Sequence, residues 1–473
     1  MMQRLLTVAV AAALLTGCSG LLAPAYQRPA APVPAAWPTG PAYDKALQPS
    51  DKTAADIGWR SFILDARLQK LVEKALANNR DLRVAALNIE KARAQYGISR
   101  ADMFPTISAT GAGTHTQTAT DVTTSGTPRI THTYTANVGF SSYELDFFGK
   151  IQNQMDEAKE TWLEYVETRN ASQITLISEV ASDYLTLAAD QDLLKLAQDT
   201  LKSQQETFRL TQREFETGVA SMLDVSAAQA SVEAARIDVA TYTTSVAQAE
   251  NALAVIIGGA VPDDLRPPLG LLDGAPLLQD VPAGLSSEVL LRRPDLRADE
   301  HALKSANASI GAARAAFFPS ITLTATAGSA SNDMSRLFKG GNDTWNFMPQ
   351  ISIPIFSGGS LMASLDVAKV TRDIQVATYE KDIQTAFQEV ANALAQRGTI
   401  GDQLRAQQSQ TNAYAKSYQL SEVRYKNGID SYLSLLTYQR SYYSAQQSLI
   451  STKLTQQSNL VTLYKVLGGG LQE

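Results

Sequence analysis

Two different periods alternate along this chain. In ITLTATAGS, Ile321, Leu323, Ala325 and Ala327 alternate with Thr322, Thr324, Thr326 and Gly328, the two-residue period of a strand whose faces meet different solvents. TWNFMPQISI repeats it with Trp345, Phe347, Ile351 and Ile353 against Thr344, Asn346, Gln350 and Ser352. Earlier, Tyr134, Ala136, Val138 and Phe140 alternate with Thr135, Asn137 and Gly139, and ISATGAGT from Ile107 is a weaker partner. These segments predict two hairpins, four strands in all. After each hairpin the period lengthens. From Phe147 to Glu216 there are 70 residues without proline, which as one helix would run roughly 105 Å. Within it Val180, Leu187, Leu194, Leu201, Phe208 and Phe215 recur every seven residues, and Val225, Val232, Val239, Val246 and Leu253 do so on the return. Such heptads predict antiparallel helices packed as in a coiled coil. Val390, Leu404, Tyr418 and Tyr425 continue the device later, while Arg397 and Thr411 interrupt it and are expected to face a neighbour or a water-filled bore.

The chain is a duplication. Residues 81 to 107 match residues 295 to 321 at an offset of 214, with 11 identities in 27 positions. They include Gly97 with Gly311, Arg100 with Arg314, and the Phe-Pro pairs at 104 and 318. Each copy predicts a helix, from about residue 81 to Met103 before Pro105 and from Asp295 to Phe317 before Pro319. Later the offset is 210, pairing Gly218 with Gly428, Ser221 with Ser431, Leu223 with Leu433 and Gln229 with Gln439. Gly218 and Gly428 mark chain reversals between long helices, because glycine reaches the left-handed region that such turns use. Proline placement agrees: it is dense from Pro24 to Pro49 and again across 262 to 354, and absent where long helices are expected. The chain therefore divides into a signal at 1–17, a Pro-rich extended leash at 18–55, a first repeat at 56–257, a linker at 258–290, a second repeat at 291–467 and a tail at 468–473.

Ten residues of strand rise roughly 33 Å and, tilted by about 45°, nearly cover the apolar band of an outer-membrane barrel. A soluble sandwich is the alternative. Four strands cannot close a barrel, and an open edge in lipid leaves amides unpaired, so further copies must complete the sheet, in a number that physics leaves open. Thr, Ser, Asn and Gly would then line a wet lumen.

The first residues set the expected compartment. MMQRLLTVAVAAALLTGCSG carries one basic residue, Arg4, then an apolar run from Leu5 to Leu15 too short to span a bilayer, as in an export signal. Leu15-Thr16-Gly17-Cys18 resembles a bacterial lipobox, which implies a covalent lipid on Cys18 as the only attached group, and Ser19 implies sorting to the outer membrane. Cys18 is the single cysteine, so no disulfide forms within the chain. With 41 basic and 47 acidic residues and no basic block, nucleic acid is not an expected partner. No run of 18 apolar residues predicts a membrane helix, His115, His132 and His301 show no metal spacing, and no phosphate loop or nucleophile elbow suggests an enzyme.

Longer stretches carry a family resemblance. LQKLVEKALANNRDLRVAALNIEKARAQYGISRADMFP, YELDFFGKI, GLSSEVLLRRPDLRADEHALKSANASIGAARAAFFPSI, PIFSGG and the terminal LGGG resemble the lipoprotein branch of the TolC-like outer-membrane factors, the exit ducts of RND-type tripartite efflux pumps. That resemblance implies a homotrimer mixing a membrane β-barrel with a long α-helical barrel: twelve strands, a periplasmic tunnel of twelve helices, and an equatorial belt drawn from residues near 50 to 75, 257 to 290 and the C-terminus. It implies a periplasmic adaptor and an inner-membrane pump as partners, with outer-membrane lipid around the barrel. The turns would lie at the periplasmic mouth, where Gly218, Val219, Ala220 and Ser221, with Gly428, Ile429, Asp430 and Ser431, are the candidate adaptor contacts. Asp224 and Tyr425 correspond to side chains that link neighbouring hairpins in a closed gate. Asp430 would occur three times about the axis and repel itself, with Arg424 near enough to serve as partner. Ser434 and Thr437 stand where some members carry an acidic ring. The lipobox and RRPDLRADE favour drug or metal efflux; a protein-secretion duct and a lipid-anchored coiled-coil spacer or adhesin are the rivals.

Overall fold

The computed structural model describes residues 22–46, 53–122, 130–274, 276–282 and 286–471. Cys18, the signal and the lipobox lie outside them. In chain order the elements are α1 (Ala66–Asn78), α2 (Arg80–Ala101), β1 (Ser108–Gln117), β2 (Ile130–Leu145), α3 (Lys150–Glu216), α4 (Met222–Ile256), α5 (Pro294–Ala315), β3 (Ser320–Ser331), β4 (Asp343–Ser352), α6 (Ser360–Lys426) and α7 (Tyr432–Val466). Short 3-10 turns fill the linker. The duplication extends to helix length: α3 and α6 are each 67 residues, and α4 and α7 are each 35. The described residues form two compact units, one drawn from 22–30, 88–165 and 298–379, the other from 31–87, 166–297 and 380–471.

The first unit is organised by one antiparallel sheet in the order β1-β2-β3-β4. Both predicted hairpins form, and β2 pairs with β3 to join the repeats. Register keeps the alternation of the sequence. Ile321 faces Ile351, Ala325 faces Phe347 and Phe140, and Ala327 faces Trp345 and Val138, all on one side; Thr110 with Asn137 and Thr326 with Asn346 share the other. One feature was not expected. Phe140 faces Ala325 but Tyr143 faces Leu323, so β2 carries one extra residue, a bulge at Ser141 and Ser142, and Ser142 adopts φ +55. The bulge moves the apolar set from even to odd positions, so that Tyr143 and Leu145 rejoin the face of Phe140. Every position of β1 and β4 is exposed, Trp345 at 81%, and both are edges. Beside the sheet, Phe148 stacks on Phe318 at 4.9 Å and Tyr143 donates to the Met103 carbonyl.

The second unit buries its largest side chains where the belt was expected. Trp59, Phe62, Ile63, Leu68 and Leu71 are fully buried there, as are Tyr184, Leu187 and Tyr464. Phe62 stacks on Tyr464 at 3.9 Å, whose hydroxyl donates to the Ile57 carbonyl at 2.7 Å. Leu64 and Gln279 exchange backbone bonds with Leu277 and Phe62, tying the linker to the segment before α1. The heptad positions are buried at Val180, Leu187, Val225, Val232, Leu253 and Val390; along α3 burial fades toward the tip, where Phe215 is exposed, whereas on α4 Val225 stays buried beside the turn.

Both interrupting residues find partners within the chain. Thr411 is buried within the chain, its hydroxyl shared between the carbonyls of Gln407 at 2.8 Å and Ala445 at 3.2 Å, so a small polar residue closes the α6–α7 seam where a leucine would not fit a carbonyl. Arg397 pairs with Asp280 of the linker at 2.6 Å.

The leash is docked, without regular structure up to Thr39 and turned from Gly40 to Ala46. In the first unit, Arg314 and Asn307 donate to the carbonyls of Leu22 and Pro24, and Glu300 takes Arg28 at 2.6 Å and the Tyr26 hydroxyl at 3.2 Å. In the second, Ser287 bonds Pro34 and Ala35, Trp37 is buried against Phe387 at 5.2 Å, and Lys45 pairs with Asp402. The segment is a strap.

Candidate functional site

Gly218 and Gly428 sit at the reversals with φ +78 and +71. Each turn closes the same way. Val219 N–H donates to the Glu214 carbonyl at 2.8 Å and Gly218 to Phe215; Ile429 donates to Arg424 at 2.9 Å and Gly428 to Tyr425. These six-to-one and five-to-two bonds satisfy the last carbonyls of the long helix and need a left-handed residue at the glycine position. Ser221 and Ser431 then cap the returning helices, their hydroxyls accepting from the N–H of Asp224 and Ser434.

The residues named from sequence separate into three arrangements. Asp224 turns back on its own turn, its carboxylate accepting from Ser221 N–H at 3.0 Å and Ser221 Oγ at 2.6 Å, a capping box. It therefore serves its own helix and does not link hairpins within this chain. Arg424 and Asp430 form a two-pronged ion pair at 2.8 and 2.9 Å across one turn. The guanidinium holds the Asp430 carboxyl below its ordinary range, and the carboxylate raises Arg424. Tyr425 is the side chain that crosses between hairpins: its hydroxyl donates to Glu214 Oε2 at 2.7 Å. Burial, then the adjacent carboxylate, pushes that phenol well up. Ser434 bonds within its cap, and Thr437 donates to the Leu433 carbonyl, so neither forms a charged ring.

Beneath the turns the hairpins pack through Ala228, Tyr432, Leu435 and Leu436, with Phe208, Tyr418 and Tyr425 against them. Tyr432 is buried, which pushes its phenol up to about 12, and its hydroxyl has no partner among the described residues. Further along α4 and α7, Arg440 donates to Ser231 at 3.3 Å, Tyr443 to Asp238 at 3.0 Å and Gln447 to the Tyr242 hydroxyl at 2.9 Å. Sequence reading missed Glu214, whose partner lies 211 residues away. It also passed over the apolar rim. Val219 and Ile429 were named, but Leu223 and Leu433, 77% and 66% exposed, sit beside them at equivalent positions, and their match across the repeats was the available signal.

Comparison with known proteins places this geometry. Residues 71–259 and 285–469 match the outer membrane efflux protein family. The chain is 52% identical, over its whole length and 97% of the relative, to the antibiotic efflux pump outer membrane protein ArpC of Pseudomonas putida. It is equally similar, with the same coverage, to the toluene efflux pump outer membrane protein TtgC of the same species. Among solved structures, the open state of the MtrE outer membrane channel of Neisseria gonorrhoeae superposes with a TM-score of 0.84 at 40% identity, over 95% of this chain and 98% of that one. With the match spread over both repeats and both long hairpins, the chain belongs to the outer membrane efflux protein family.

Proposed function

We propose that this chain is the outer-membrane exit duct of a tripartite efflux pump, three copies enclosing one path for antibiotics, dyes and other toxic small molecules from periplasm to exterior. One observation carries the reading: a four-stranded sheet with an apolar face, a Thr- and Asn-rich face and two open edges in a single chain. In water that face would be a liability; in lipid it is required, and the edges demand partners. Among the described residues no helix is long and apolar enough to cross a membrane.

The relatives' names supply the substrate classes, antibiotic in one and toluene in another. The duct passes what an inner-membrane RND-type pump delivers through a periplasmic adaptor, which docks on Gly218 to Ser221 and Gly428 to Ser431, with Leu223 and Leu433 completing the rim. Cys18 carries the lipid. At rest the Tyr425–Glu214 bond fastens one hairpin to the other and the Arg424–Asp430 pair holds the second turn in shape. Opening then requires the Tyr425 bond to be exchanged for water.

Deleting the chain from its host and measuring retention of a fluorescent dye tests the reading. Retention rises if the chain is the duct. Unchanged retention, in a strain with no redundant duct, would sink it.

A further inference from the structure

Of the three histidines, His301 lies on α5 with its Nδ1 against the Glu160 carboxylate at 2.6 Å. The other two are brought together by the fold. Their spacing in the sequence follows no metal motif, but the β1–β2 register sets His115 directly opposite His132, two pairs from the open end of the hairpin at Gln117 and Ile130. The two Nδ1 atoms face each other in contact, with ring centroids 4.6 Å apart and ring planes at 70°. Both side chains are exposed. The adjacent pairs on the same face, Gln117 with Ile130 and Gly113 with Tyr134, carry no charge.

Tyr134 supports the arrangement from one step inward. Its ring stands edge-on to His115 at 5.6 Å and lies over Gly113, where an added Cβ would come within 3.2 Å of the ring. Glycine at that position lets the tyrosine lie across β1 and buttress the imidazole, as groups behind a metal ligand do when they fix its orientation.

We propose that His115 and His132 form a two-imidazole site for a borderline divalent cation of the Ni²⁺, Cu²⁺ and Zn²⁺ class. Imidazole suits these ions, whereas Mg²⁺ and Ca²⁺ prefer oxygen ligands. Without an ion, one ring donates its Nδ1 proton and the other accepts it. When each ring instead carries its proton on Nε2, both Nδ1 lone pairs point at one place, and an ion binds there without releasing a proton. Bonds of about 2.0–2.1 Å hold two nitrogens roughly 3 Å apart, within reach of opposed side chains whose Cβ atoms stand about 4.5–5.5 Å apart. The paired strands fix both backbones beforehand, so binding has little left to order. Among the described residues no set of three or more metal-binding side chains forms, so water completes the coordination. The pair stands at the hairpin end remote from the helices, since β1 follows α2 and β2 leads into α3. On the duct reading that end faces the exterior, and an ion taken from the medium ties β1 to β2 where their connecting loop begins.

Calorimetric titration of the untagged, detergent-solubilised protein with NiCl₂ tests the site. One Ni²⁺ per chain is expected to bind, saturating below roughly 1 mM. His115→Gln and His132→Gln keep a polar side chain at exposed strand positions, and each is expected to weaken binding by roughly tenfold or more, with the double variant losing little beyond that. His301→Gln is the control and is expected to bind as the parent does. Affinity should fall from Cu²⁺ to Ni²⁺ to Co²⁺, with no binding of Mg²⁺ or Ca²⁺. The electron paramagnetic resonance of bound Cu²⁺ should show coupling to two nitrogens in the parent and fewer in either single variant. No saturable binding by the parent, undiminished binding in either single variant, or loss of binding in His301→Gln would overturn the site. Each of these outcomes is separate from the dye-retention test of the duct.

Discussion

Glu214 and Arg424 stand at equivalent places in the two hairpins, and each gives its carbonyl to the N–H that closes its turn. Their side chains do opposite things. Arg424 stays at home, gripping Asp430, where the first turn has Ala220 and nothing to grip. Glu214 is left without a local cation and reaches across to Tyr425, where the first hairpin has Phe215 and no hydroxyl to offer. The first turn is held by its Ser221–Asp224 box; the second lacks that box, since Ser434 replaces the acid, and has the ion pair. Duplication thus kept the backbone of the turn, which a left-handed glycine dictates, and diverged in how each turn is fastened. A reversal has one good geometry but many ways to be held.

The cross-hairpin bond offers the largest test of that division. Hydrogen bonds to a charged partner contribute about 1.5–3 kcal/mol, so Tyr425→Phe is expected to raise open-channel probability in planar bilayers by roughly tenfold. Glu214→Gln should give a smaller rise, and the double variant should not exceed Tyr425→Phe by much, because both remove one interaction. If Tyr425→Phe conducts as the parent does, the hairpins are not held together at this point.

Caps come next. Ser221→Ala should weaken the start of α4 by about 1 kcal/mol, read as faster amide exchange over residues 222–226, and Asp224→Ala should share most of that loss. Ser431→Ala is expected to do less at the start of α7, since no box is there to break. Equal effects at both turns would erase the distinction drawn above.

The ion pair is the smallest term, because its arginine is exposed and its aspartate only half-buried. Arg424→Gln should change conductance by roughly twofold or less and only at low salt. Its acid dependence has a definite sign. The Asp430 carboxyl is lowered from 3.8, so its contribution is complete above that value and lost only as pH falls through the depressed one. No gating transition from this pair is expected between about pH 5 and 8. A transition in that window that survives Asp430→Asn would point to another group.

Much of this was legible beforehand, and the reasons differ by element. The strands were visible because a two-residue period records two solvents, and the paired faces kept Ile321 with Ile351 and Ala327 with Val138. Their order in one sheet was not, since pairing of β2 with β3 joins segments separated by a 67-residue helix and its return. The bulge left a trace in GFSSYEL, where the alternation slips at the two serines, but a slip alone does not say whether a strand ends or bends. Thr411 shows the limit of heptad reading: a polar residue in an apolar stripe signals an exception, and only the position of the Ala445 carbonyl says that it turns inward. The same holds at the tips. Glycine and serine marked the turns, yet the partners of Tyr425 and Asp224 depended on which face each helix presents, a rotation that a repeat offset does not encode.

The strap has a consequence for the order in which the molecule is made. Its docking partners lie 252 to 357 residues downstream, from Ser287 to Asp402. The first described stretch to leave the ribosome therefore cannot take its seat until these later residues have been made. A product that stops before Ser287 offers it none of these partners, so a fully seated strap certifies that synthesis has passed Asp402.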